Sequence, residues 1–144
     1  MKIRVVAVAA VASIAVLAAP ANANSLAGKD PYRSGCADTK VYTGKKAYLK
    51  NELGDPLGVV KLFYSRKCGT NWGELWVAKN GTGSITVSTS KKSASFVYKA
   101  GNGGHHWGDM VYAPSGVCAW AKATVSLGTG RVNHGAGTTG RACG

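Results

Sequence analysis

"GVVKLFYSRKCGTNWGELWV", residues 58–77, decides the fold. With Leu57, its first part reads "LGVVKLFY" (57–64), rich in β-branched and aromatic residues. Val60, Leu62 and Tyr64 fall on one face and Val59 and Phe63 on the other, the two-residue period of a strand. Its last part opens "ELWVAK" (74–79), which sets Leu75 and Val77 on one face and Trp76 on the opposite one. Further short runs follow: "GSITVSTS" (83–90), "ASFVYKA" (94–100), "DMVYA" (109–113) and "VCAWAKATV" (117–125). Between them lie "NELGDP", "KNGTG", "KAGNGG" and "APSG", which are turn compositions, and Asn80-Gly81 is the strongest hairpin signal. After the leader described next, no run beyond about ten residues holds a 3.6-residue apolar period. The pattern predicts an all-β domain, a small antiparallel sandwich or barrel.

The ends differ from this centre. Lys2 and Arg4 precede the apolar "VVAVAAVASIAVLAA", and Ala21-Asn22-Ala23 supplies small residues for cleavage, so residues 1–23 read as a secretory signal peptide. Ala19-Pro20-Ala21 is a second candidate cut. No later run is apolar enough to span a bilayer, which takes about 18 residues or more. The expected product is secreted. Residues 24–35 read as a flexible N-terminal segment and 36–144 as one β domain with Gly-rich, flexible ends. Of 18 Lys and Arg, two lie in the leader, leaving sixteen against six acids and a net charge of about +10. That balance favours anionic partners and speeds encounter with them. The cations are scattered singly or in pairs, however, and on their own serve solubility equally well.

All four cysteines, Cys36, Cys68, Cys118 and Cys143, follow the leader. Their wide spacing lacks the close pairs of a zinc site, and an even count in an exported domain reads as two disulfides with three open connectivities. Cys36 and Cys143 stand beside the two weak ends. Pairing them would staple the termini while Cys68–Cys118 pinned two core strands, each closure contributing about 3–4 kcal/mol in the chain-entropy account.

"GVVKLFYSRKCGTNWGELWV" and "WGDMVYAP" (107–114), with "GKDPYRSGC" (28–36), resemble the YjfA-like family of small exported bacterial domains, a family without an established activity. The likeness covers nearly all of residues 28–120. It implies export and a β fold. Members often carry another cysteine upstream of the G-K-D-P segment, where this chain reads "NSLAG", so the resemblance too implies Cys143 as the partner of Cys36. The chain is also similar to adaptor subunits of umbrella-type antibacterial toxin particles, which join a toxin-bearing chain to a catalytically dead, trypsin-like lectin subunit. That likeness implies a docking role for the N-terminal segment, with Lys29, Asp30, Tyr32 and Arg33 as partner-binding residues and Lys29 and Arg33 entering a pocket for cationic side chains.

Chemistry is harder to find. His105 and His106 are sequence neighbours, so in extended chain they point to opposite sides and do not share an ion. They read as solvent-facing or rim residues before a strand. A metal set of His105, Asp109 and His134 has no recognisable spacing, and no metal or other cofactor is expected. Six carboxylates follow the leader (Asp30, Asp38, Glu52, Asp55, Glu74 and Asp109), and none sits in a catalytic pattern. There is no G-x-S-x-G elbow, and paired cysteines leave no thiol nucleophile. Trp76, and Tyr48 between Lys46 and Lys50, would be the base-stacking candidates of a nucleic-acid binder, a role unfavoured for an exported protein. Trp72, Trp107 and Trp120 read as core or disulfide-packing residues. The best expectation is a non-catalytic module for another exported protein, with Trp76, His105 and His106 as further surface contacts. An anionic cell-wall polymer is the second reading, and a small secreted hydrolase or inhibitor the third. N-terminal sequencing of the secreted product should begin at Asn24; a product retaining Lys2 and Arg4 would refute the leader.

Overall fold

A computed structural model describes residues 23–144. The signal-peptide reading lies, apart from Ala23, outside the described residues. Ten strands follow: β1 (Lys40–Lys50), β2 (Pro56–Ser65), β3 (Thr70–Val77), β4 (Gly83–Ser88), β5 (Ser93–Tyr98), β6 (His105–Trp107), β7 (Val111–Tyr112), β8 (Cys118–Ser126), β9 (His134–Thr138) and β10 (Ala142–Cys143). Only short 3-10 turns interrupt them, and no α-helix occurs among the described residues.

Eight strands run antiparallel in the order β5-β4-β8-β9-β1-β2-β3-β6 and curl into a nearly closed barrel. The two short strands are additions, β7 pairing with β3 and β10 with β8. Leu49, Val60, Leu62, Leu75, Ile85, Val87 and Tyr98 fill the interior. The inward positions of β8 are small: Ala119, Ala121, Ala123 and Val125. Opposite them stands Gly73, where an added Cβ would lie 3.0 Å from Ile85 and 3.1 Å from Ala121. Small residues on facing walls let the two walls approach closely here.

The seam between the end strands β5 and β6 is closed by side chains. The His106 ring stacks on Tyr98 with centroids 4.4 Å apart, and the Tyr98 hydroxyl donates to the Thr124 carbonyl at 2.7 Å. Burial pushes the Tyr98 hydroxyl pKa up to about 12. His106 is therefore a buried seam residue and not a solvent-facing one. Its backbone register on β6 opposite Leu75 turns it inward.

Several expectations need correction. Asn80-Gly81 makes a turn, with the Gly81 N–H on the Ala78 carbonyl at 2.8 Å, but it closes no hairpin. β3 pairs with β2, β6 and β7, whereas β4 pairs with β5 and β8, so the turn carries the chain from one wall to the other. The Gly-rich C-terminal stretch is not loose: β9 and β10 continue one line along β8. The disulfides are Cys36–Cys68 and Cys118–Cys143, not the pairs that stapling the termini favoured. Register explains both. Lys40 lies opposite Ser65, so Cys36 and Cys68 run off the same end of the β1–β2 ladder. Cys143 lies directly opposite Cys118. The sequence separations of 32 and 25 still give about 3–4 kcal/mol each in the chain-entropy account.

His106 Nε2 is buried without a hydrogen-bond partner, and burial, with the neighbouring His105, lowers its pKa. The unfolded chain therefore takes up this proton first, and the seam's contribution, full above the ordinary histidine value near 6.5, is lost as pH falls below it. Between pH 7.5 and 5.5 the thermal midpoint should drop by a few degrees. His106→Phe should shrink that drop while keeping the stack; an unchanged drop would assign it to other groups.

Candidate functional site

Every described position of β3 from Thr70 to Leu75 is buried, on both faces of the strand. One face looks into the barrel; the other carries Trp72, Glu74 and Trp76 outward. Cross-strand partners share a face, so the register writes out this outer surface. Tyr42, Phe63 and Trp72 form one row, Lys46, Lys61, Glu74 and Trp107 the next, and Tyr48, Val59, Trp76 and His105 the third. Over the upper rows lies a second core of Cys36, Ala37, Phe63, Cys68, Trp72 and Met110, with Leu26 and Trp107 against it.

The N-terminal segment builds that cover. The Gly28 N–H donates to Met110 O at 2.8 Å, and the Met110 N–H donates back to Lys29 O at 2.9 Å. Asp30 turns the chain: Oδ1 accepts from the N–H groups of Tyr32 and Arg33, and Oδ2 from Trp107 Nε1 at 3.1 Å. The Tyr32 ring sits 4.5 Å from Trp107. Residues 28–35 are thus docked on the barrel, which corrects the expectation of a free arm. Lys29 and Arg33 remain exposed on the docked turn.

At the centre is Glu74, whose side chain is 0% exposed. Its Oε1 accepts from the Tyr32 hydroxyl at 2.8 Å, Trp72 Nε1 at 3.0 Å and Lys40 Nζ at 3.1 Å. Its Oε2 is 3.0 Å from His105 Nε2 and 3.3 Å from Lys40 Nζ. Burial by itself would raise this carboxyl's pKa, but the donors from Trp72, Tyr32, His105 and Lys40 outweigh it and hold the group below its ordinary range. Lys40 also donates to the Tyr32 hydroxyl at 2.8 Å. Burial disfavours the Lys40 charge, yet Tyr32 and Glu74 outweigh it and raise the ammonium's pKa. A carboxylate offers about four lone-pair positions, and all are engaged here. Glu74 is a sequestered anion, each oxygen held by two or more donors.

Beyond this anion the surface opens into aromatic rings and lysines. Lys40 lies over Tyr32 and Phe63, Lys61 over Tyr42 and Trp76, and Lys46 over Tyr48, all between 4.9 and 5.6 Å from the ring centres. Trp76 stacks on His105 at 4.7 Å. Trp76 and His105, expected as surface contacts, stand together at this edge; His106 points the other way. His134 is on β9, between β8 and β1, and does not meet His105 or Asp109. Among the described residues no group of His, Cys, Asp and Glu is placed to hold a metal ion. The Glu74 cluster escaped the sequence reading because Tyr32, Lys40, Glu74 and His105 are far apart in the chain. A lone acid at an outward position between two tryptophans of a strand was the available signal.

The fold and this cluster define a small, doubly disulfide-linked β-barrel with a sequestered carboxylate beneath an aromatic–lysine face. The sequence profile described as Protein of unknown function (DUF2690) matches residues 24–121, and the chain belongs to that family. The match takes in the docked segment, Glu74 and His105; β9, β10 and Cys143 lie beyond it. No curated protein and no solved structure matches the chain. Two disulfides with no free cysteine point to an oxidising compartment.

Glu74→Gln should cost about 1.5–3 kcal/mol, because Tyr32, Trp72 and His105 lose the charge they donate to, while Lys40 keeps access to water. Tyr32→Phe should cost about 1.5–3 kcal/mol, one hydrogen bond to a charge. Both should speed amide exchange at Gly28 and Met110 ahead of the barrel strands. Glu74 contributes fully above the ordinary carboxyl value of 4.5 and loses its contribution as pH falls below it. Equal exchange at all sites would show that the segment is held by something else.

Proposed function

We propose that this chain is an exported, non-catalytic module that binds another exported protein, using the aromatic–lysine face and the docked basic turn beside it. One observation carries the reading. Tyr32, Lys40, Phe63, Tyr42, Lys61 and Trp76 form an unbroken chain of ring and cation contacts, flanked by the Lys46–Tyr48 pair. Tyr42 is 41% exposed and Tyr48 50%, so these two rings offer the most open aromatic surface for a partner on this face. Tyr, Trp and Arg dominate interface energetics, and side chains already ordered lose less freedom on binding.

Within its family we read the chain as YjfA-like. The likeness to adaptor subunits makes a trypsin-like lectin subunit the first partner to try and a toxin-bearing chain the second. Arg33 and Lys29 would then enter a partner pocket from a rigid turn. The scattered cations also support binding to an anionic wall polymer, the competing reading.

Pull-down from the secreted fraction should recover a defined protein with the wild-type bait. The double variant Tyr42→Ala, Tyr48→Ala should lose it while staying folded, its stability falling by about 1–3 kcal/mol as the ring and cross-strand contacts go. Retention of that complex as salt is raised would separate a shape-matched contact from charge-driven wall binding, which fades as the screening length shrinks. Recovery of the bait alone, or the same catch with the double variant, would overturn the reading.

A further inference from the structure

The barrel wall is not evenly zipped. β1 meets β9 through one register pair, Lys50↔Ala136, and from there β1 and the β9–β10 line part company. Gly137 is still hard against the Tyr48 carbonyl. Further along, Val41, Thr43 and Lys45 face Arg141, Ala142 and Cys143 across an open cleft of about 510 Å³. Tyr64, Asn71 and Ala113 lie behind it.

Three features shape this cleft. First, both walls are strand edges turned toward each other without pairing. β10 uses its other edge on β8, and β1 its other edge on β2. Second, β1 bulges where it lines the cleft: its register with β2 jumps between Tyr42 and Lys46, Gly44 takes a φ of 80°, and Thr43 Oγ1 donates to Leu62 O at 2.8 Å. Bulges re-aim side chains at barrel rims and binding sites. Third, the rim is cationic. Lys45, Arg66 and Arg141 border it, and no Asp or Glu side chain does among the described residues. The Arg141 guanidinium is steadied 4.7 Å over the Trp120 ring. Gly144 closes the rim, an oxygen of its carboxylate accepting from the Gly116 N–H at 2.8 Å; in a chain that ends at Gly144 this one anion leaves the three cations in excess.

We infer that this cleft receives an extended peptide segment bearing carboxylates, laid between β1 and β10. Unpaired strand edges are a template for an added strand, whose main chain supplies affinity and whose side chains supply choice. The three cations select acidic side chains by charge complementarity. A phosphate polymer would answer the charge but not the backbone groups, so the unpaired edges favour a peptide. The inference deepens the protein-binding reading and rests on it, while adding a second surface on the far side of β1 from β2.

Synthetic ligands separate the two. The chain from Asn24 to Gly144 is followed by amide NMR shifts and hydrogen exchange. The probes are a short peptide alternating glutamate and valine, its glutamine counterpart, and inorganic phosphate. The glutamate peptide should shift and protect amides within 41–45 and 142–143, and the glutamine peptide should bind about tenfold more weakly. Lys45→Ala and Arg141→Ala should each weaken binding about threefold. Tyr42→Ala with Tyr48→Ala should leave peptide binding intact, so that loss of the aromatic face and loss of the cleft give different results. The inference is overturned by several outcomes: no binding, equal binding of the glutamine peptide, equal shifts from phosphate without protection, or protection without peptide that grows with protein concentration, which would mark a second copy of this chain as the occupant.

Discussion

An ionised carboxylate with no exposure to water organises the outside of this barrel. Glu74 removed from solvent alone would cost several kcal/mol. What offsets that cost is a set of donors from four separate places: Tyr32 in the N-terminal turn, Lys40 at the start of β1, Trp72 on β3 and His105 on β6. None of them can leave without exposing the charge to an apolar, half-filled site. The turn, the first strand and the end strand are therefore held together by one anion. The Cys36–Cys68 link belongs to the same cluster and holds the segment's return to β1 in place.

The interior answers a different requirement. Leu, Val and Ile from β1 to β4 need a facing wall at short range, and the alanines of β8 with Gly73 provide it by being small. Main-chain pairing runs out at two margins of this barrel. At one margin His106 and Tyr98 close the seam by stacking where main-chain pairing ends. At the other, β1 and the β9–β10 line diverge and a cationic cleft is left. Cys118–Cys143 fixes the β10 wall of that cleft, giving it the rigidity a recognition surface needs.

The central strands were legible because their residues announce a two-residue period. β2, β4, β5 and β8 begin and end within two residues of the runs read from composition alone. β1 was largely hidden: Lys40, Lys45, Lys46 and Lys50 give it a polar look, and Gly44 breaks its period at the bulge. β9 and β10 were hidden for a related reason. Gly135 and Gly137 are needed where backbones approach closely, and such a strand resembles a loop when read along the chain. The "HHW" stretch was half read. Alternation sent the two imidazoles to opposite sides, but which side was solvent depended on Glu74 outside and Tyr98 inside.

What the sequence determined by itself was the class of the molecule: a basic all-β domain with two disulfides, each read from local period, composition or count. Only the tertiary structure decided which cysteines meet, whether the N-terminal segment is free or docked, and which of six acids matters. Those three answers share a cause. Each depends on strand register and on contacts between residues 25 to 77 positions apart, and a local pattern carries no information about which distant residue will be laid opposite.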